Sequence, residues 1–80
     1  MSATAVGGGG TENGQWSFQF FRATKDGIRW NWTAIGEFKA PGEADAFEQS
    51  IQPANPPMDY LVRVYSPRQS KPVEEYRFSR

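Results

Sequence analysis

Between Trp16 and Phe38 the chain reads WSFQFFRATKDGIRWNWTAIGEF, with most of its large aromatics at even-numbered positions. An apolar side chain at every second residue marks a strand with one buried face. Lys25-Asp26-Gly27 breaks the alternation with turn chemistry. A three-residue loop needs φ > 0 at its last position, which Gly27 can supply. That loop pairs Thr24 with Ile28, Arg22 with Trp30, Phe20 with Trp32, Phe18 with Ala34 and Trp16 with Gly36. Directly paired residues share a face. Trp16, Phe18, Phe20, Ile28, Trp30, Trp32 and Ala34 therefore gather on one side. Ser17, Gln19, Ala23, Arg29, Asn31 and Thr33 line the other, interrupted by Phe21 and Ile35. A two-residue Asp-Gly turn would mix the two sets, so the sorted pattern predicts the longer loop.

This chain of 80 residues has no cysteine and no histidine. It therefore has no disulfide and no thiolate metal site to staple so small a domain. Stability must come from burying its 12 aromatic residues together with the aliphatic ones. That requirement assigns most of the Trp30-Asn31-Trp32 face to the core in preference to an exposed platform for bases, sugars or a proline-rich peptide, with room for one indole at the rim, its N–H outward. Residues 1–14, MSATAVGGGGTENG, hold four consecutive glycines and one charged side chain. They read as a disordered Gly-rich tail, leaving 15–80 as a single small domain. The tail lacks the basic start and apolar run of a secretory signal, and Ser2 excludes the myristoylation pattern. No segment is long and apolar enough to span a membrane, and the expected compartment is the cytoplasm.

Ala40 to Gln52 is the helix candidate. Pro41 suits a first turn, Glu43 and Asp45 suit the positive end of the helix dipole, and Ala44, Phe47 and Ile51 form an apolar stripe. Pro53 ends it, and Pro53-Ala54-Asn55-Pro56-Pro57 is a stiff connector. Met58 to Tyr65 and Val73 to Phe78 alternate as strands. The order strand, strand, helix, strand, strand predicts an α+β fold. It is a four-stranded antiparallel sheet with one helix packed on its aromatic face through Phe47 and Ile51.

Phe18-Gln19-Phe20-Phe21, the turn at Asp26-Gly27, Arg29-Trp30-Asn31-Trp32 and a helix starting near Glu43 with Ala44 and Phe47 inward make up one strand–strand–helix unit. From Phe18 to Ile51, under half the chain, this resembles the uncharacterised bacterial YegP-like family. The resemblance implies a similar sheet-and-helix unit. That family has no established activity, so no residue inherits a role from it.

The chain contains no recognisable catalytic motif: no GxSxG, no SxxK and no phosphate-binding glycine loop followed by lysine. Glu43, Asp45 and Glu48 fit helix-dipole complementarity rather than a metal or acid–base site. A non-enzymatic protein without cofactor or metal is expected. Nine basic residues balance nine acidic ones, which is not the footprint of a duplex-DNA binder. The leading reading is a binding or adaptor module that recognises another protein through an exposed sheet face or a sheet edge. Its contact residues are Phe21, Arg29, Ile35, Arg63 and Tyr65, with Leu61 on the same face. The alternative is single-stranded nucleic-acid binding through aromatics and Arg29, Arg63, Arg68, Lys71 and Arg77. In that reading Arg68, Lys71, Arg77 and Arg80 cluster near the last loop and the C-terminus. An accessory subunit of a larger complex is a third reading. The sequence leaves the oligomeric state open.

Overall fold

The computed structural model describes residues 15–80; the expected tail, 1–14, lies outside the described residues. Four strands, β1 (Ser17–Asp26), β2 (Arg29–Phe38), β3 (Asp59–Tyr65) and β4 (Glu74–Ser79), form one antiparallel sheet in the order β2-β1-β3-β4. One helix, α1 (Pro41–Ser50), connects β2 to β3. This is the expected α+β architecture. The helix is shorter than Ala40 to Gln52, with Pro41 in its first turn and Glu43 at the positive end.

The hairpin register differs from the expected one. Asp26 pairs with Arg29 across a two-residue turn, Gly27-Ile28, and Gly27 has φ +66°. Glycine thus occupies the first central position of a tight hairpin turn, where φ > 0 matches the strand twist, and not the end of a longer loop. Lys25 then faces Trp30, Ala23 faces Trp32 and Phe21 faces Ala34. Against the three-residue loop this register moves β2 by an odd number of positions, which turns every side chain over. Trp30 and Trp32 leave the face of Phe18 and Phe20.

A bulge restores the alternation further along. The ladder shifts between Phe20 and Phe21, so Phe20 pairs with Gly36 and Phe18 with Phe38. Ile35 is the extra residue. Before it, even-numbered residues of β2 face away from the helix; after it, they face toward it. The bulge lets one strand send Trp32 outward and Phe38 inward.

The core lies between sheet and helix. Phe20, Val62, Val64 and Ala44 are its buried centre, with Phe18, Ile35, Phe38, Phe47 and Phe78 packed around them. The Phe47 ring meets Phe20 edge-on at 5.0 Å and Phe38 at 4.8 Å. Gly36 keeps room for them: a Cβ there would lie 3.1 Å from the Phe38 ring and 3.7 Å from Phe47. Tyr60 stacks on Phe78 at 5.1 Å. The C-terminus ties the helix down. Arg80 exchanges backbone hydrogen bonds with Met58, and its Nε donates to the Ile51 carbonyl at 2.8 Å, beyond the negative end of the helix dipole.

Truncating a ring on the helix face should cost far more than truncating one on the other face. Phe20→Ala is expected to lower unfolding free energy by about 3–5 kcal/mol. Trp30→Ala should change it by less than about 1 kcal/mol despite the larger ring. Urea denaturation followed by circular dichroism measures both.

Candidate functional site

The second face of the sheet carries Gln19, Phe21, Ala23 and Lys25 from β1, and Trp30, Trp32 and Ala34 from β2. Asp59, Leu61, Arg63 and Tyr65 from β3 and Glu75, Arg77 and Ser79 from β4 complete it. β2 and β4 are the outer strands, three strand spacings of ~4.8 Å apart in a flat sheet. Yet the Arg77 guanidinium carbon lies 5.4 Å from the Trp32 ring. The two side chains lean toward each other over the inner strands, and this face is concave. Its floor is buried: Phe21 is 3 % exposed, Leu61 1 % and Tyr65 4 %.

At the hairpin end the concavity opens into a groove of about 470 Å³. Ala23 supplies a small floor residue, Trp30 and Trp32 one wall, and Asp59, Arg77 and Ser79 the other. Spacing along β2 places the two indoles ~6.6 Å apart at their Cα atoms. Trp30 is 63 % exposed. Cations lie over both rings, Lys25 Nζ at 5.6 Å from Trp30 and Arg77 from Trp32. Ser79 Oγ donates to Asp59 Oδ1 at 2.7 Å, which holds the one groove carboxylate in place.

The expected contact patch does not assemble. Phe21, Arg63 and Tyr65 share the second face, but Phe21 and Tyr65 are buried there, not exposed. The Arg63 guanidinium sits 5.1 Å over the Phe21 ring and its Nε donates to Glu75 Oε2 at 2.8 Å. Ile35, displaced by the bulge, packs against the core on the helix face. Arg29 pairs with Asp26 beside the turn and falls on the helix face as well. The basic cluster also divides. Arg68 and Lys71 lie in the β3–β4 loop at one end of β4, while Arg77 and Arg80 lie at the other. Arg80 is committed to the helix end. Of the residues named for nucleic-acid binding, Arg77 alone lines the groove. Trp30 and Trp32, expected mainly in the core, line it as well.

At the far end of the same face, Glu37 Oε2 accepts from Ser17 Oγ at 2.7 Å and from Lys39 Nζ at 2.9 Å. Partial burial pushes the Glu37 carboxyl up. The Ser17 hydroxyl, the Lys39 ammonium and the Gln19 amide dipole together outweigh it and hold the carboxyl below its ordinary value of 4.5. Gln19 itself is 1 % exposed, and neither its Nε2 nor its Oε1 has a hydrogen-bond partner. On the helix face the Tyr76 hydroxyl donates to Glu48 Oε1 at 3.3 Å. Burial, then the nearby Glu48, Glu74 and Asp45 carboxylates, raise the Tyr76 pKa.

Among the described residues no group of three or more His, Cys, Asp or Glu is gathered to hold a metal, and no helix is long and apolar enough to cross a membrane. No protein-family model matches the chain, and no curated protein or solved structure matches it.

Two outcomes follow at the Glu37 end. A carboxyl depressed by folding stabilises the fold above its unfolded value, and that stability is lost as pH falls through the folded value. Glu37→Gln should lower the melting temperature at neutral pH, where the depressed carboxyl contributes, and converge with the wild type in acid, so that the acid limb of a thermal-melt series below about pH 4.5 flattens. Gln19→Leu, which removes one of the groups that hold the Glu37 carboxyl low, should weaken the pH dependence of the same acid limb.

Proposed function

We propose that the protein is a non-catalytic binding module that recognises an extended segment of another protein in the groove walled by Trp30, Trp32 and Arg77. The exposure of Trp30 carries this reading. A 66-residue region (15–80) with no disulfide has every reason to bury its largest ring, yet this one stands in water at the mouth of a groove. Tryptophan and arginine in a concave apolar setting are the side chains that dominate binding energy at interfaces. Two indoles in succession along one strand face also suit a flat or cyclic side chain such as proline laid against them.

The charge of the groove favours a peptide over a phosphate backbone. Arg77 shares the groove lining with the Asp59 carboxylate, and both Arg77 and Lys25 already rest on indole rings. Nucleic-acid affinity depends on several unopposed cations.

Selection from a random peptide library should enrich one consensus on the wild-type protein. Trp30→Ala and Arg77→Ala should each weaken binding of the enriched peptide at least tenfold, about 1.4 kcal/mol, while keeping the wild-type circular dichroism. A labelled oligothymidylate should leave tryptophan fluorescence unchanged at low salt. Failure to enrich any peptide, with salt-sensitive quenching by the oligonucleotide, would overturn the reading in favour of the nucleic-acid alternative.

A further inference from the structure

We propose that two copies of this chain pair antiparallel through the outer edges of β2, in a register centred on Asn31, so that Trp30 of each copy lies opposite Trp32 of the other. The edge backbone carries this inference, independently of what the groove binds.

The turn at Gly27-Ile28 closes on Asp26 and Arg29, and the closing pair of a two-residue hairpin exchanges both backbone hydrogen bonds. Alternation then turns the N–H and C=O groups of Asn31 and Thr33 toward β1. Those of Trp30 and Trp32 point outward, where no strand follows among the described residues. An unsatisfied edge of this kind is a template for another strand. The two outer strands differ sharply. β4 presents Glu74, Glu75 and Arg77, the charges that blunt an edge. From Arg29 to Ala34, the second face of β2 presents Trp30, Trp32 and Ala34 without one charge, and the turn residue Ile28 precedes them. Ile28 and Trp30 are 96 % and 63 % exposed.

A register centred on Asn31 satisfies both requirements of a two-fold pair. Trp30 opposite Trp32 joins residues whose hydrogen-bonding groups both point outward, as the ladder demands. It also brings each exposed indole against another, the aromatic cross-strand pairing that stabilises sheets. Ile28 falls opposite Ala34 and Arg29 opposite Thr33, so no like charges meet. The contact is self-complementary and closes on itself. The bulge at Ile35 twists the edge away beyond Ala34, which limits pairing to this segment. The helix packs on β2 around Gly36 and Phe38, outside it. Because pairing is in the plane of the sheet, it leaves the groove open and extends its wall with the indoles of the second copy.

The absence of cysteine makes the test direct. In this register the two Asn31 residues face each other as a non-hydrogen-bonded pair, close enough for a disulfide. The two Thr33 residues stand about 13 Å apart at ~3.3 Å per residue. Under mild oxidation at high micromolar concentration, Asn31→Cys should form a disulfide dimer on a non-reducing gel while Thr33→Cys stays monomeric. Unmodified protein in sedimentation equilibrium should weigh about twice its 9.0 kDa chain mass, and Trp30→Lys should halve that mass with unchanged circular dichroism. Equal cross-linking of the two cysteine variants, or a monomer mass for the unmodified chain, would contradict the proposal. Peptide enrichment by a protein that sediments as a monomer would reject the dimer and retain the binding module.

Discussion

Everything else in this domain depends on which two residues form the turn of the first hairpin. Gly27, at φ +66°, and Ile28 complete the reversal, and from that point the twist of the strands carries the register along β1 and β2. Moving the turn by one residue would trade the faces of Trp30 and Trp32 for those of Asn31 and Thr33. The bulge at Ile35 then divides β2 into two halves with opposite allegiance. The half near the turn faces its indoles away from the helix. The half near the helix delivers Phe38 to Phe20 and Phe47. A single strand thereby serves both as an interaction surface and as part of the core.

The sheet is apolar on both faces at its centre, which a fold of this size achieves by using the inner strands twice. Phe20 and Val62 close the helix face, while Phe21 and Leu61, their chain neighbours, close the concave one. Charged side chains arch over the second set: Arg63 over Phe21, held by Glu75, and Arg77 over Trp32. Their aliphatic stems cover apolar surface while the guanidinium groups stay solvated. The arginines in this region are therefore structural roof as well as surface charge. That is why few of them remain free to form a phosphate-binding array.

The element order, the helix with Pro41 in its first turn, the connector and the last two strands could be read from the sequence because each has a local cause: a period, a proline or a dipole. The register could not, because Asp26-Gly27 is compatible with glycine in either of two positions in a turn. The trace of the true register was present as a misfit. Phe21 and Ile35 stood out on a face that otherwise read as polar. Phe21 stood there because that face is a second apolar surface, and Ile35 because a bulge had shifted its side. The approach of Arg77 to Trp32 across the sheet depends on the placement of all four strands together. No segment carries a signal for it, so the groove was invisible until the sheet was assembled.

The most direct test is the pattern of cross-strand Hα–Hα contacts in a nuclear Overhauser spectrum of the purified domain. A turn at Gly27-Ile28 places Ala23 against Trp32 and Lys25 against Trp30, and those two contacts should be strong. Contacts joining Phe20 to Trp32 and Arg22 to Trp30 would mean that the indoles lie beneath the helix, and the groove described here would not exist.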